Sequence, residues 1–338
     1  MKAAIVGCGC IATVHAQSLE KLENVTLVGF ADIKKERADA FVVRFGGHAY
    51  SSLEEMISCE KPDVIHICTP HYLHVPMAVY GLTHGVNVFM EKPPAISGEQ
   101  WEQLCKAEKI SEGRLGVCFQ NRYNHSIRMA KELIDSGKAG KIRGARGLVT
   151  WSRGAAYYTD SDWRGRLETE GGGVLINQSI HTLDLLGYFL GRPTYADARM
   201  ANHHLQGVIE VEDTMEAFVR YEEADASFYA TTAYCDDVPP IIELACENMT
   251  LRIEDVHLTL IHKDGRIEIP ELEKSETMGK SYWGSGHAVC IRNFYDCLRS
   301  GTRFGEDLKG VEDTLKLMLA VYESARTCKG VDMNRKEK

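Results

Sequence analysis

From Met1 to about residue 119, short runs of β-branched and apolar residues alternate with stretches whose apolar positions recur every three or four residues. The runs at 2–6, 25–31, 64–68, 87–90 and 115–119 predict strands, while 11–22, 34–45, a short turn after Ser52, 75–84 and 98–112 predict helices. This alternation is the pattern of βαβ units and a parallel sheet. Ser97, with Gln100 three residues on, sets a capping box at the start of the last of these helices. Beyond Gln120 the rhythm changes to a helix at 126–136, a strand at 142–150, a Gly-rich aromatic loop and a long apolar helix at 174–190. Alternating segments at 212–221, 226–234, 241–245, 258–262 and 266–269 follow with no helix between them, which predicts a mainly antiparallel sheet. Helices at 288–300 and 310–327 close the pattern, and the Lys/Glu-rich stretch 334–338 reads as a frayed tail. The expected fold class is α/β: an N-terminal domain on a parallel sheet and a C-terminal α/β domain with a mainly antiparallel open sheet.

The length of 338 residues agrees with two domains at about 150 residues each. Lys and Arg number 39 against 48 Asp and Glu, and the net charge of −9 disfavours phosphate backbones and anionic lipid as partners. No apolar run approaches the roughly 20 residues that span a bilayer. The N-terminus reaches Gly7 too soon for the apolar core of a secretory signal, so a cytoplasmic location is expected. The 11 Cys include no CxxC pair and several sit in apolar segments, as reduced thiols do, so neither a disulfide framework nor a Cys-based zinc site is expected.

Gly7-Cys8-Gly9-Cys10-Ile11-Ala12 is a GxGxxA sequence between the first predicted strand and helix. Gly7 suits the tight turn, Gly9 lets the backbone approach a pyrophosphate, and Ala12 allows close packing of helix on strand, with the helix N-terminus facing the phosphates. Asp32, at the end of the second strand, is placed to accept both ribose hydroxyls and to repel a 2′-phosphate, which favours NAD over NADP. Lys34, Lys35 and Arg37 either offset that repulsion, leaving NADP as the alternative, or form a solvated helical turn.

Lys92 follows the 87–90 strand and precedes two prolines, so it leaves the carboxyl edge of the sheet, where open α/β folds bind ligands. A lysine there, partly desolvated beside a nicotinamide cation, can exchange protons with an alcohol or carbonyl; the bland reading is a surface ion pair with Glu91. Asn177, His181 and Asp184, at i, i+4 and i+7, share one face if 174–190 is a single helix, and such a polar stripe suits a cleft. Gly171, Gly172 and Gly173 let the backbone come close to a ligand or a neighbouring strand. Thr69 and Pro70 leave the 64–68 strand at the same edge; His71 and His74 have a metal-like spacing, but with no carboxylate nearby no metal is expected. Tyr157, Tyr158, Trp163 and Arg164 precede the glycines as a sugar-stacking surface or a hydrophobic lid, and Gln120 and Arg122 end the fifth strand as hinge or pocket wall.

Taken in order, Gly7 to Ala12, Asp32, Thr69-Pro70 with His74, Glu91-Lys92-Pro93, Trp163-Arg164, the triple glycine with Asn177, His181 and Asp184, and Tyr282-Trp283-Gly284-Ser285-Gly286-His287 resemble the Gfo/Idh/MocA oxidoreductases, which include glucose-fructose oxidoreductase and inositol dehydrogenase. The resemblance implies a Rossmann NAD(P)-binding domain, drawn here at 1–122, and a substrate-binding and oligomerisation domain at 123–338, in homodimers or homotetramers. It implies a sugar, sugar derivative or cyclitol as substrate, with Lys92 and His181 as the acid/base pair. Thr69, Pro70, His74, Glu91 and Gln120 would border the nicotinamide and its ribose, with Trp163 and Arg164 over the carboxamide end; Arg122, Tyr158 and Asn177 join the substrate candidates. Many members carry Asp at the position of Asn177, which here can orient sugar hydroxyls but carry no proton. The expected activity is hydride transfer between NAD(H) and a secondary alcohol or ketone. The alternatives are an NAD-dependent glycoside hydrolase or lyase acting by transient C3 oxidation, and a non-catalytic NAD-sensing regulator.

Overall fold

The computed structural model describes residues 1–272 and 285–334 in two compact units, Met1–Gln120 with Ser285–Val311, and Asn121–Gly284 with Glu312–Lys338. Tyr282, Trp283 and Gly284, part of the last family motif, and the tail beyond residue 334 lie outside the described residues. In chain order the elements are β1 (Lys2–Val6), α1 (Cys10–Glu20), β2 (Thr26–Ala31), α2 (Lys35–Phe45), β3 (His48–Tyr50), α3 (Leu53–Glu60), β4 (Val64–Ile67), α4 (His71–Thr83), β5 (Asn87–Met90), α5 (Gly98–Ile110) and β6 (Leu115–Val117). There follow α6 (His125–Asp135), β7 (Ile142–Thr150), α7 (Ala155–Thr159), α8 (Leu167–Glu170), α9 (Ile180–Leu190), β8 (Pro193–Ala201), β9 (Thr214–Tyr221), β10 (Asp225–Thr231) and β11 (Ile241–Cys246). The remainder are β12 (Met249–Glu254), β13 (His257–His262), β14 (Ile267–Glu268), α10 (Gly286–Ser300), α11 (Leu308–Thr327) and β15 (Val331–Asp332). No helix among the described residues is long and apolar enough to cross a membrane.

The first unit is built on a six-stranded sheet in the order β3-β2-β1-β4-β5-β6, parallel throughout. β4 is buried at every position, as a strand covered on both faces must be. The strand order reverses between β1 and β4, and in open α/β sheets that reversal opens the ligand crevice at the carboxyl ends. Ser97 caps α5 through the Gln100 N–H at 3.2 Å, and the Gln100 side chain returns to the Ile96 N–H. Two details differ from the sequence pattern. α4 begins at His71, ahead of the internal Pro76 that made a later start look natural; the prolyl ring leaves the Tyr72 carbonyl without its helical donor, and Gln100 Nε2 reaches it at 3.5 Å. A division at residue 122 assigns 285–311 to the second part, whereas this segment belongs to the first unit, with α10 packed on α1.

The second unit carries a nine-stranded sheet in the order β14-β13-β12-β11-β7-β10-β9-β8-β15. It is mixed, because β7 and β10 pair in parallel while the other neighbours are antiparallel. β9 alternates buried and exposed residues, the signature of one covered face. α9 lies against β7, where a Cβ on Gly147 would meet Thr182 at 2.8 Å. The predicted 174–190 helix is shorter than its apolar pattern. α9 starts at Ile180, because the Ser179 hydroxyl and N–H both turn back to the Val174 carbonyl, at 2.7 and 2.9 Å, and break the i to i−4 ladder.

Candidate functional site

The turn after β1 is fixed by Gly7. Its φ of +87° lies in the left-handed region, and a Cβ would stand 2.7 Å from the Cys68 carbonyl carbon and 2.8 Å from Thr69 Cγ2. The loops after β1 and β4 are therefore in contact through this position. Gly9, by contrast, has open space where its side chain would be, and α1 starts at Cys10 with no side-chain cap on its first N–H groups. Cys10 is exposed, Ile11 half-buried and Ala12 fully buried beneath the helix. Asp32 accepts the Cys8 N–H at Oδ2 and the Lys34 N–H at Oδ1, both at 2.8 Å, which aims its carboxylate along the turn. Arg37 is exposed on the first turn of α2. An open glycine, uncapped helical N–H groups and an oriented acid fit a dinucleotide pyrophosphate and ribose.

Thr69 and Pro70 precede α4, and His74 within it is buried. Its ring nitrogens lie 2.9 Å from the Pro93 and Thr69 carbonyls, so His74 braces the loops after β4 and β5. Burial pushes its pKa down, and the two carbonyls, which favour N–H on both nitrogens, oppose that shift. Lys92 is half-buried, its N–H 3.3 Å from Oε2 of Glu91. Glu91 itself points inward: Oε1 is 3.1 Å from His15 Nε2, so this acid is buried and held by a histidine. Gln120 is buried, with Oε1 3.8 Å from the Cys118 thiol. The loops after β1, β4 and β5 thus form one tied edge of the sheet.

In the second unit the triple glycine serves close packing. A Cβ on Gly173 would lie 1.9 Å from the Glu212 carbonyl oxygen, and one on Gly172 2.0 Å from the Tyr322 hydroxyl oxygen. These contacts are to the protein itself, backbone at Gly173 and the Tyr322 side chain at Gly172. The Glu212 carboxylate clamps the same turn, accepting the Gly173 and Leu175 N–H groups at 2.9 and 3.1 Å and the Tyr322 hydroxyl at 2.8 Å. Asn177 lies in this turn, outside α9, so the one-helix stripe does not form as expected. Its Nδ2 donates to Oε1 of Glu170, whose other oxygen accepts the Gly165 N–H. Burial raises the Glu170 pKa to about 7, against the lowering by those two donors. His181 is half-buried in the first turn of α9.

Asp184 is 1% exposed and receives Arg122 through Nε at 2.8 Å and Nη2 at 2.5 Å, with the Thr314 hydroxyl at 2.6 Å. This bidentate pair engages the guanidinium of Arg122, one of the substrate candidates, in internal bracing. Tyr158 is buried in a small core with Leu205, Ile209 and Val211, and Tyr157 packs against the same cluster while remaining partly exposed. The Arg164 guanidinium lies 4.3 Å from the Tyr157 ring centre and 5.2 Å from that of Trp163, a cation held on two aromatic faces. His15, His66, Glu170 and Glu212 were not singled out by the sequence pattern, which marks periodicity and not the partner a buried polar group finds.

Residues 1–119 match the family model described as "Oxidoreductase family, NAD-binding Rossmann fold", and residues 127–252 match "GFO/IDH/MocA C-terminal domain". The D-glucoside 3-dehydrogenase of Escherichia coli K12 is 28% identical over 231 residues, 67% of this chain and 64% of that protein. The glucose-6-phosphate 3-dehydrogenase of Bacillus subtilis is 29% identical over 189 residues, 55% of this chain and 53% of that protein. These alignments span between half and two thirds of the length of the curated relatives. The WlbA dehydrogenase of Bordetella pertussis, solved in complex with NADH and UDP-GlcNAcA, is 28% identical with a TM-score of 0.86 over 99% of both chains. With the parallel sheet, the glycine turn and two matching models that together cover more than half of its length, the chain belongs to the Gfo/Idh/MocA family of oxidoreductases, and its first unit is an NAD-binding Rossmann domain.

Proposed function

We propose that the protein is an NAD-dependent dehydrogenase acting reversibly on a secondary alcohol of a sugar, sugar derivative or cyclitol. The observation that carries this reading is one tied sheet edge in the first unit, which holds the Gly7 turn, the Thr69 loop and the loop of Lys92. The names of two relatives, both 3-dehydrogenases of glucose derivatives, support C3 of a pyranose as the position oxidised.

When bound, NAD supplies the two-electron oxidant that accepts hydride from the alcohol carbon. The hydroxyl proton must leave the same alcohol, and Lys92 and His181 are the pair assigned to take and relay it. Asn177, with Nδ2 on Glu170, orients a substrate hydroxyl and carries no proton. Asp32 takes the adenosine ribose, while Thr69, Pro70 and Gln120 border the nicotinamide side. Trp163 and Arg164 close the carboxamide end, and His74 and Glu91 support these loops from beneath. The cysteines, several of them buried in apolar segments as reduced thiols are, support a cytoplasmic setting. A homo-oligomer, which the family resemblance implies, is to be read by light scattering.

The test is absorbance at 340 nm with NAD or NADP and a panel of pyranoses, inositols and nitrophenyl glycosides. Growth of the reduced-nicotinamide band with NAD and one polyol is the expected result. Nitrophenol release without lasting NADH would replace this reading with glycoside cleavage through transient C3 oxidation.

A further inference from the structure

Beneath the Glu91–Lys92 turn the first unit buries a chain of polar side chains that no apolar core requires. Glu91 Oε1 lies 3.1 Å from His15 Nε2, His15 Nδ1 lies 2.9 Å from His66 Nδ1, and His66 Nε2 lies 3.0 Å from the Tyr295 hydroxyl. The four groups come from the end of β5, from α1, from β4 and from α10, and His15, His66 and Tyr295 are fully inaccessible. Replacing such a pair by apolar residues of equal volume is often neutral or stabilising, so stability alone is a weak reason for its presence.

Proton positions follow from the contacts. One hydrogen lies between the two facing Nδ1 atoms. With His15 protonated on both nitrogens, Nε2–H donates to Glu91 and Nδ1–H donates to His66, which as a neutral ring donates from Nε2 to Tyr295. Burial opposes charge on His15, but hydrogen bonding, with the Glu91 carboxylate as the counter-charge, overcomes it and pushes its pKa up to about 9. Burial and the charge of His15 together hold His66 neutral. Further titratable neighbours are Lys92, next to Glu91 in the chain, Cys68 and His74 near Glu91, Asp63 near Tyr295, and His287 and Cys290 of α10; burial lowers the His287 pKa to about 4, so its ring is neutral. His15, Glu91 and Cys118 offer ligand atoms within 4.8 Å of one another, but both His15 nitrogens are engaged in this chain and an imidazolium has no lone pair for a metal. Because Tyr295 is buried, the chain ends away from water and acts as a fixed anchor, not a path for protons.

We propose that His15 is a positioning residue for Lys92: its ring, locked by His66 and Tyr295, holds the Glu91 side chain and through it the turn that presents the lysine. The link is the contact from Glu91 Oε2 to the Lys92 N–H. This inference rests on the reading that Lys92 acts on the substrate proton.

Two measurements on the full-length protein test it. In 15N-histidine NMR, one ring, assigned by its loss in His15→Gln, should stay doubly protonated through pH 8 and lose that state in Glu91→Gln; a His15 ring that is neutral at pH 7 overturns the proposal. In NAD-linked kinetics, Tyr295→Phe and His15→Gln should lower kcat on the order of 10- to 100-fold, as expected of a displaced catalytic group. KM for NAD should change less than about twofold, while the alkaline limb of the pH profile moves to lower pH. Folded variants with wild-type kcat and pH profile overturn the proposal. Lys92→Ala separates the two claims: full activity there removes the Lys92 reading, while the NMR result still decides the state of His15. Should His15→Gln fail to fold, Tyr295→Phe, which removes one hydroxyl, and Glu91→Gln carry the kinetic and spectroscopic arms.

Discussion

Glu91 in the first unit and Glu170 in the second are the same residue type at similar depth, 7% and 0% exposed, yet their protons behave oppositely. Burial favours the neutral acid at both. At Glu91 the hydrogen bond and charge of His15 overcome burial and hold the carboxylate ionised well below the usual range. Glu170 has the neutral donors Gly165 N–H and Asn177 Nδ2 at its oxygens, the Glu212 carboxylate repels it more than Arg164 attracts it, and its pKa rises to about 7. A buried hydrogen bond from a neutral group does not replace a counter-charge. The charged device lies beside Lys92, and the titrating one lies behind Asn177.

The largest expected effect comes from removing one side of the charged pair. Glu91→Gln removes the counter-charge that keeps His15 protonated in a buried site and should cost about 3–5 kcal/mol in chemical unfolding at pH 7. A loss below 1 kcal/mol would mean that the pair carries no net charge. Next is the pH slope set by Glu170. Its native pKa of about 7 exceeds the ordinary 4.5, so between these values the native state holds a proton that the unfolded chain has released, and stability falls as pH rises. Relative to Glu170→Gln, the wild type should lose about 3 kcal/mol between pH 4.5 and 8. Parallel stability curves for the two proteins would show that Glu170 ionises without penalty. His15 has the same sign at higher pH: its raised pKa gives stability that is complete below 6.5 and is lost as pH climbs through 9. The smallest effect belongs to Arg122→Lys, where Asp184 keeps a cation but loses its bidentate partner. A stability loss of about 1 kcal/mol with unchanged substrate KM is expected, and a KM shift without a stability loss would place Arg122 among the substrate contacts.

How far the sequence could be read follows from the range of each interaction. The Gly7 turn, the Ser97 cap and the alternation of β9 are local, so backbone sterics and side-chain spacing announce them within a few residues. The β10–β7 parallel pair, the return of α10 to the first unit and the Glu212 clamp on Gly173 join distant parts of the chain, and periodicity carries no partner information. Asn177 failed for a subtler reason: its i, i+4 spacing to His181 is helical, but Ser179 diverts the ladder between them. Tyr158 looked like a ligand surface because an aromatic pair in a loop suits a sugar face and a small satellite core equally well.

The account stands most directly on Lys92. Hydride transfer should be followed by stopped-flow absorbance at 340 nm in wild type and Lys92→Ala at saturating NAD and the substrate found in the panel, with NAD affinity measured by tryptophan fluorescence. The account predicts NAD affinity within about twofold and hydride transfer slower by on the order of 100-fold or more, the contribution of a positioned general acid or base. Hydride transfer at the wild-type rate in Lys92→Ala would contradict it.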